Sequence, residues 1–174
     1  ENIFVSLSVT GVNENILSGN ISGGYEIGSY RITGDIIIDN NSIVYLGAGT
    51  EFLFDGEFNF IINGHLVAVG TENDSIIFDN YGLNKWKGFT LNNVGEETTF
   101  GYVRISGAQK ENGGGMYLSY SNPFISNTKI TGNIAKFDNE EITWTEGDGG
   151  GLYLDHSNPF ISKTIINDNK AENF

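Results

Sequence analysis

Residues 113–135 read GGGMYLSYSNPFISNTKITGNIA, and residues 149–171 read GGGLYLDHSNPFISKTIINDNKA. The second stretch repeats the first 36 residues later, and about two thirds of the paired positions are identical. The exchanges keep the apolar positions apolar: Met116 becomes Leu152, and Leu118 is matched by Leu154. Ser119 and Tyr120 give way to Asp155 and His156, so this adjacent pair is free to vary. An internal repeat of this length marks a solenoid or array, whose units bury their apolar faces only against one another.

Each unit reads as strand, not helix. Apolar and polar positions alternate through Met116, Tyr117 and Leu118, and again through Leu152, Tyr153 and Leu154, which is the two-residue period of a strand. The runs are broken by Ser121, Asn122 and Pro123, and by Ser157, Asn158 and Pro159, which read as tight corners. One unit is therefore about three short strands joined by sharp turns.

The pattern GGG-x-Y-L-x-x-S-N-P-x-I-x-x-T-x-I-x-x-N-x-A resembles the coil repeat of right-handed parallel β-helix proteins of the pectate-lyase-like fold. It is most similar to the Gly-Gly-rich coils of bacterial surface β-helices such as the chlamydial polymorphic membrane proteins. Residues 30–110 also resemble the first coils of secreted bacterial β-helices, through GAGT at 47–50, GHLVAVGT at 64–71 and WKG at 86–88. The resemblance implies an all-β, single-stranded solenoid. It also implies a secreted or cell-surface setting, bacterial in origin. It predicts fold better than function, since that fold hosts lyases, hydrolases, adhesins and passive stalks.

A shorter rhythm runs through the earlier chain. TEFLFD at 50–55 returns as DSIIFD at 74–79, and IVYLG at 43–47 returns as LVAVG at 66–70. These runs fit two inward columns. One holds Val44/Leu46, Val67/Val69, Phe89/Leu91, Met116/Leu118 and Leu152/Leu154; the other holds Phe52/Phe54, Ile76/Phe78, Val103/Ile105, Ile125 and Ile161. Stacked at the interstrand spacing, about five to six coils make a rod on the order of 25–30 Å long. The expected division is a lead-in or cap segment at 1–29 and the β-helix at 30–174. Within the lead-in, 3–9 alternates like a strand and 11–28 reads as a Gly- and Asn-rich loop. Leu53 and Ile77 fall outward on adjacent coils, and the stretch at 3–9 is a candidate cover for them.

Composition bounds the partners. With 174 residues one domain is the expectation. A net charge of −13 disfavours nucleic acid and anionic membrane surfaces. There is no cysteine, hence no disulfide and no thiolate metal site. No apolar run approaches the roughly 18–20 residues of a membrane span, so no membrane insertion is expected. The second repeat is not followed by a remodelled cap, and this predicts either further coils or end-to-end self-association.

The repeat spacing exceeds the earlier period, and the excess predicts an inserted loop at 137–148, FDNEEITWTEGD. Asp138, Glu140, Glu141 and Asp148 are the candidate metal ligands, and Trp144 is a candidate ligand contact. Two readings stand: a Ca²⁺ or ligand loop, or a solvated acidic loop with Trp144 folded back on the coil wall. The carboxylate spacing departs from the twelve-residue Ca²⁺ loop and favours the second, so no cofactor is expected and Ca²⁺ is the alternative.

Tyr117 and Tyr153 should lie on adjacent coils, either as an aromatic platform for sugar rings or as a stabilising cross-coil pair. With Asp155, His156 and Trp144 they complete the candidate glycan contacts. No catalytic constellation is legible. Arg104 stands alone, Asp155 is the one carboxylate on the best-defined strand face, and no Ser-His-Asp arrangement has spacing support. The expected function is a non-catalytic structural or adhesive module with weak glycan binding. The alternative is a polysaccharide lyase or glycoside hydrolase of the same fold.

Overall fold

A computed structural model describes residues 14–136 and 147–172. It is all-β: the described residues form no helix, and every strand pairing among them is parallel. The chain winds through the same three strand rows again and again. Sheet A contains Phe60–Ile62, Phe89–Asn92, Met116–Ser119 and Leu152–Asp155. Sheet B contains Gly23–Tyr25, Ile43–Leu46, His65–Val69, Thr99–Gly101, Phe124–Ser126 and Phe160–Ser162. Sheet C contains Thr50–Phe54, Ile76–Asn80, Val103–Ser106, Lys129–Thr131 and Ile165–Asn167. The long strand Gly28–Ile38 joins A to C: Tyr30 pairs with Phe52 in C, and Ile36 pairs with Phe60 in A. A short fourth ladder, Gln109–Lys110, Ile134–Ala135 and Lys170–Ala171, closes the coil before the chain re-enters sheet A. The strongly curled sheets make a parallel β solenoid.

Three rows replace the two columns expected from the sequence. Val44 and Leu46 belong to sheet B, whereas Phe89, Leu91, Met116 and Leu118 belong to sheet A. Ile125 and Ile161 also belong to sheet B, and sheet C continues through Ile130 and Ile166. In LVAVG the inward residues are Leu66 and Ala68, while Val69 is exposed. An unbroken apolar run carries no alternation, so its register is set by pairing with Val44 and Leu46. Leu53 and Ile77 are not lateral neighbours either. Leu53 lies between Arg31 and Asp79, and Ile77 between Glu51 and Arg104. The candidate cover at 3–9 lies outside the described residues.

The stretch 11–28, expected as loop, contains two described strands. Asn15–Asn20 pairs with Gly28–Ile38, and Gly23–Tyr25 pairs with Ile43–Leu46. Glycine-rich local sequence is overridden here by a neighbouring strand that supplies the hydrogen bonds.

The bends also sit one residue earlier than expected. Asn93, Tyr120 and His156 occupy the same corner on successive coils with φ of 54°, 48° and 48°. Ser121, in the corner triplet expected from sequence, instead donates its backbone N–H to the Ser157 hydroxyl oxygen at 2.8 Å. A non-glycine residue in the left-handed region costs roughly 1–2 kcal/mol. The variable pair of the repeat is thus the end of a strand and its corner. The triple glycines have a steric cause. A Cβ on Gly114 would stand 2.4 Å from the carbonyl oxygens of Gly150 and Ile134, so only glycine lets the coils approach.

The interior is one stack. Its earlier part is aromatic: Phe52, Phe54, Phe60, Phe78, Trp86, Phe89 and Phe100 are fully buried. Phe54 and Trp86 stack at 4.3 Å, and the Trp86 indole N–H donates to the Ser106 carbonyl at 2.7 Å. Its later part is aliphatic, with Met116, Leu118, Ile125 and Ile130 buried beside Ser121, Thr128 and Asn133.

A candidate binding groove along sheet A

Two outward files run across sheet A. One carries Ile61, Thr90, Tyr117 and Tyr153 in register; the next carries Asn92, Ser119 and Asp155. The equivalents of Asp155 on the neighbouring coils are therefore Ser119 and Asn92. Tyr117 and Tyr153 are lateral neighbours, with ring centroids 5.5 Å apart and planes only 6° from parallel. Their faces are turned on each other, so they offer edges and hydroxyls outward. A flat platform for sugar rings needs faces turned outward.

Around this pair the polar atoms converge. The Tyr117 hydroxyl donates to Asp155 Oδ2 at 3.3 Å, and the Ser119 hydroxyl reaches the same oxygen at 3.4 Å. His156 Nδ1 lies 2.6 Å from Asp155 Oδ1. The His156 hydrogen bond is the main reason that the Asp155 carboxyl is held below its ordinary value. Burial, then the Asp155 charge, raises the Tyr117 phenol. The His156 ring stacks on Tyr120 at 4.7 Å, which steadies both left-handed corners.

The most perturbed side chain in the groove is one the sequence did not single out. Lys110 reaches under sheet A, donates from Nζ to Thr90 Oγ1, and lies 5.4 Å from the centre of the Tyr117 ring. It lines two clefts. One, of about 240 Å³, is lined by Thr90, Lys110, Glu111, Asn112 and Tyr117. The other, of about 220 Å³, is lined by Glu57, Asn59, Lys87, Lys110 and Glu111. Burial lowers the Lys110 ammonium to about 8; Glu111 opposes this and the like charge of Lys87 adds to it. Lys87 is paired with Glu57 at 2.9 Å. In the string AQKENGGG this lysine reads as loop, and only the fold brings Thr90 and Tyr117 over it.

The remaining expected site residues divide. Trp144, Asp138, Glu140 and Glu141 lie outside the described residues. Asp148 is exposed and begins the next coil: its N–H donates to the Asn112 side-chain oxygen at 3.1 Å, and its carbonyl accepts from Gly113 N–H at 2.9 Å. Among the described residues no three carboxylates or histidines gather at metal-binding distance. Arg104 is half-exposed and paired with Asp79 at 3.0 Å. None of the described strands gives way to a helix long and apolar enough to cross a membrane.

Fold and groove together define a class, the all-β parallel solenoids with a polar outer groove. Compared with known proteins, the chain matches no family model, no curated sequence and no solved structure.

Proposed function

We propose that this chain is a right-handed parallel β-helix of about five to six coils, serving as a structural or adhesive module of a secreted or cell-surface protein. The observation that carries the reading is how its polar side chains are used. Asn133 accepts from Ala108 N–H at 3.0 Å and donates to the Ile105 carbonyl at 3.1 Å; one coil later, Asn169 bonds Asn133 N–H and the Ile130 carbonyl in the same way. Ser121 and Ser157 make a second file, and Arg31 with Asp55 and Arg104 with Asp79 make bridges on the outside. Side chains committed to joining coil to coil suit a stiff rod. Glycan contact on this reading falls to the polar edge formed by Tyr117, Tyr153, Asp155 and His156. The exposed apolar residues Leu154, Phe160, Ile161, Ile165 and Ile166 suit a further coil or a second copy. Glycan-array binding that is lost in Asp155→Ala supports the adhesive role, and an array without signal removes it. Light scattering over a concentration series tests self-association.

One observation favours the second reading, a polysaccharide lyase or glycoside hydrolase of this fold. An amine that titrates near 8 in a groove can act as a base at neutral pH. Sugar release from neutral and acidic polysaccharides, abolished by Lys110→Met, decides for it; no release decides against it.

A further inference from the structure

We propose that Lys110 is a nucleophilic amine that captures a small carbonyl compound, an aldehyde or ketone, as an imine in the clefts it lines. Three features of geometry place it there. Nζ is anchored by the Thr90 hydroxyl and rests against the Tyr117 ring, so the amine is held in one place. It lines two clefts, of about 240 Å³ and about 220 Å³, each of which admits a molecule of a few heavy atoms. Lys87 approaches from the second cleft as a neighbouring cation. Desolvation and a nearby cation are the two devices by which proteins turn a lysine into a nucleophile.

The charged and titratable groups around the amine act in both directions. Glu111, next in the chain, favours the ammonium; Glu57 is engaged by Lys87; Tyr117 offers a ring face, and Asp155 lies behind its hydroxyl. Burial outweighs the attraction of Glu111 and brings the amine to about 8. At pH 7 about a tenth of such an amine is free base, against well under a thousandth for an ordinary lysine.

The step balances without any oxidant or cofactor. The nitrogen lone pair attacks the carbonyl carbon, and the carbonyl π electrons move to oxygen, giving a carbinolamine after proton transfer. The C–O bond then breaks, the oxygen leaves as water, and nitrogen keeps a double bond to carbon. Glu111 lines both clefts and is the carboxylate on hand to accept and return the proton. Capture of a carbonyl does not depend on the structural reading, and it draws on the same Lys110 amine that the second reading uses as a base; labelling of Lys110 in a protein that releases no sugar separates the two.

The experiment uses the full chain, glyceraldehyde as probe, and cyanoborohydride to reduce any imine to a stable secondary amine, read by peptide mass mapping. The chain has seven lysines, of which Lys129, Lys163 and Lys170 are exposed internal controls. The expected result is labelling of Lys110 at pH 7 at least about tenfold faster than these three, with a rate–pH midpoint near 8. Lys87→Met should move that midpoint upward, and Lys110→Arg should abolish the fast label while leaving the melting curve in place. Labelling that follows exposure, with Lys129, Lys163 and Lys170 ahead of Lys110, overturns the proposal. So does a midpoint at the ordinary lysine value, or a folded protein whose Lys110 stays unlabelled.

Discussion

The earlier and later parts of the solenoid fill the same kind of cross-section in opposite ways. Up to Lys110 the interior is aromatic, and Phe52, Phe60, Phe78 and Phe89 meet there at interplanar angles from 21° to 81°, with centroids 4.8–6.0 Å apart. From Gly113 onward the described rings lie outside, as parallel pairs: Tyr117 on Tyr153, Tyr120 on His156 and Phe124 on Phe160, all within 8° of parallel. The interior there holds smaller aliphatics with Ser121, Thr128 and Asn133. Coils of unlike sequence mesh by shape, each ring finding a different angle. Near-identical coils place like over like, so rings align in files on the surface and amides and hydroxyls align in files within. One part is held by interlocking and the other by repetition.

This contrast can be broken most severely at the repeat's core. Leu118→Asp buries an unpaired charge at a fully buried position and should abolish cooperative unfolding altogether, as followed by circular dichroism. Next comes the aromatic part. Phe78→Ala removes a ring in contact with Phe52, Phe60 and Phe89, and should cost about 3–5 kcal/mol in denaturant titration. The polar file is expected to be weaker. Asn133→Ala strips partners from the Ala108 N–H and the Ile105 carbonyl and should cost about 1–3 kcal/mol; a neutral result would mean that repetition contributes shape only. On the outer surface Tyr117→Ser should cost only about 0.2–1 kcal/mol, and a melting loss equal to that of the core variants would shift the register by one residue.

The smallest effect is a pH dependence. The Asp155 carboxyl is held below its ordinary value of 3.8, chiefly by its hydrogen bond with His156. Its contribution is complete above 3.8 and is lost as pH falls through the lower folded value. The melting temperature of the wild type should therefore fall slightly more steeply than that of Asp155→Asn in acid, and the two curves should run parallel above pH 5. Identical slopes throughout would deny the carboxylate any link to folding.

How much was legible follows from these same residues. The pairing of Met116 with Leu152 and of Tyr117 with Tyr153 could be read directly, because identical sequence at a fixed offset leaves one register. The assignment of Val67 and Val69 to the interior was wrong, because LVAVG is apolar on both faces and offers no alternation to fix which residues turn inward. Counting two columns instead of three failed for a related reason: the linking segments vary in length, so strands of sheets A and B fall into similar intervals. The corner at Tyr120 was hidden because neither tyrosine nor histidine advertises a left-handed backbone. Tyr117, Tyr153, Asp155 and His156 were singled out through the repeat, and the fold sets them side by side, whereas Lys110 left no signal.

By itself the sequence determined the repeat, its strand character and its all-β solenoid class, because strand periodicity and self-similarity are local and need no partner to be read. Tertiary structure decided the three-row winding, the passage of Gly28–Ile38 between two sheets, and the environment of Lys110. Those depend on which segments lie side by side across 20 or more residues. Burial and neighbouring charge, the causes of the lysine's altered chemistry, exist only once the coil has closed around it.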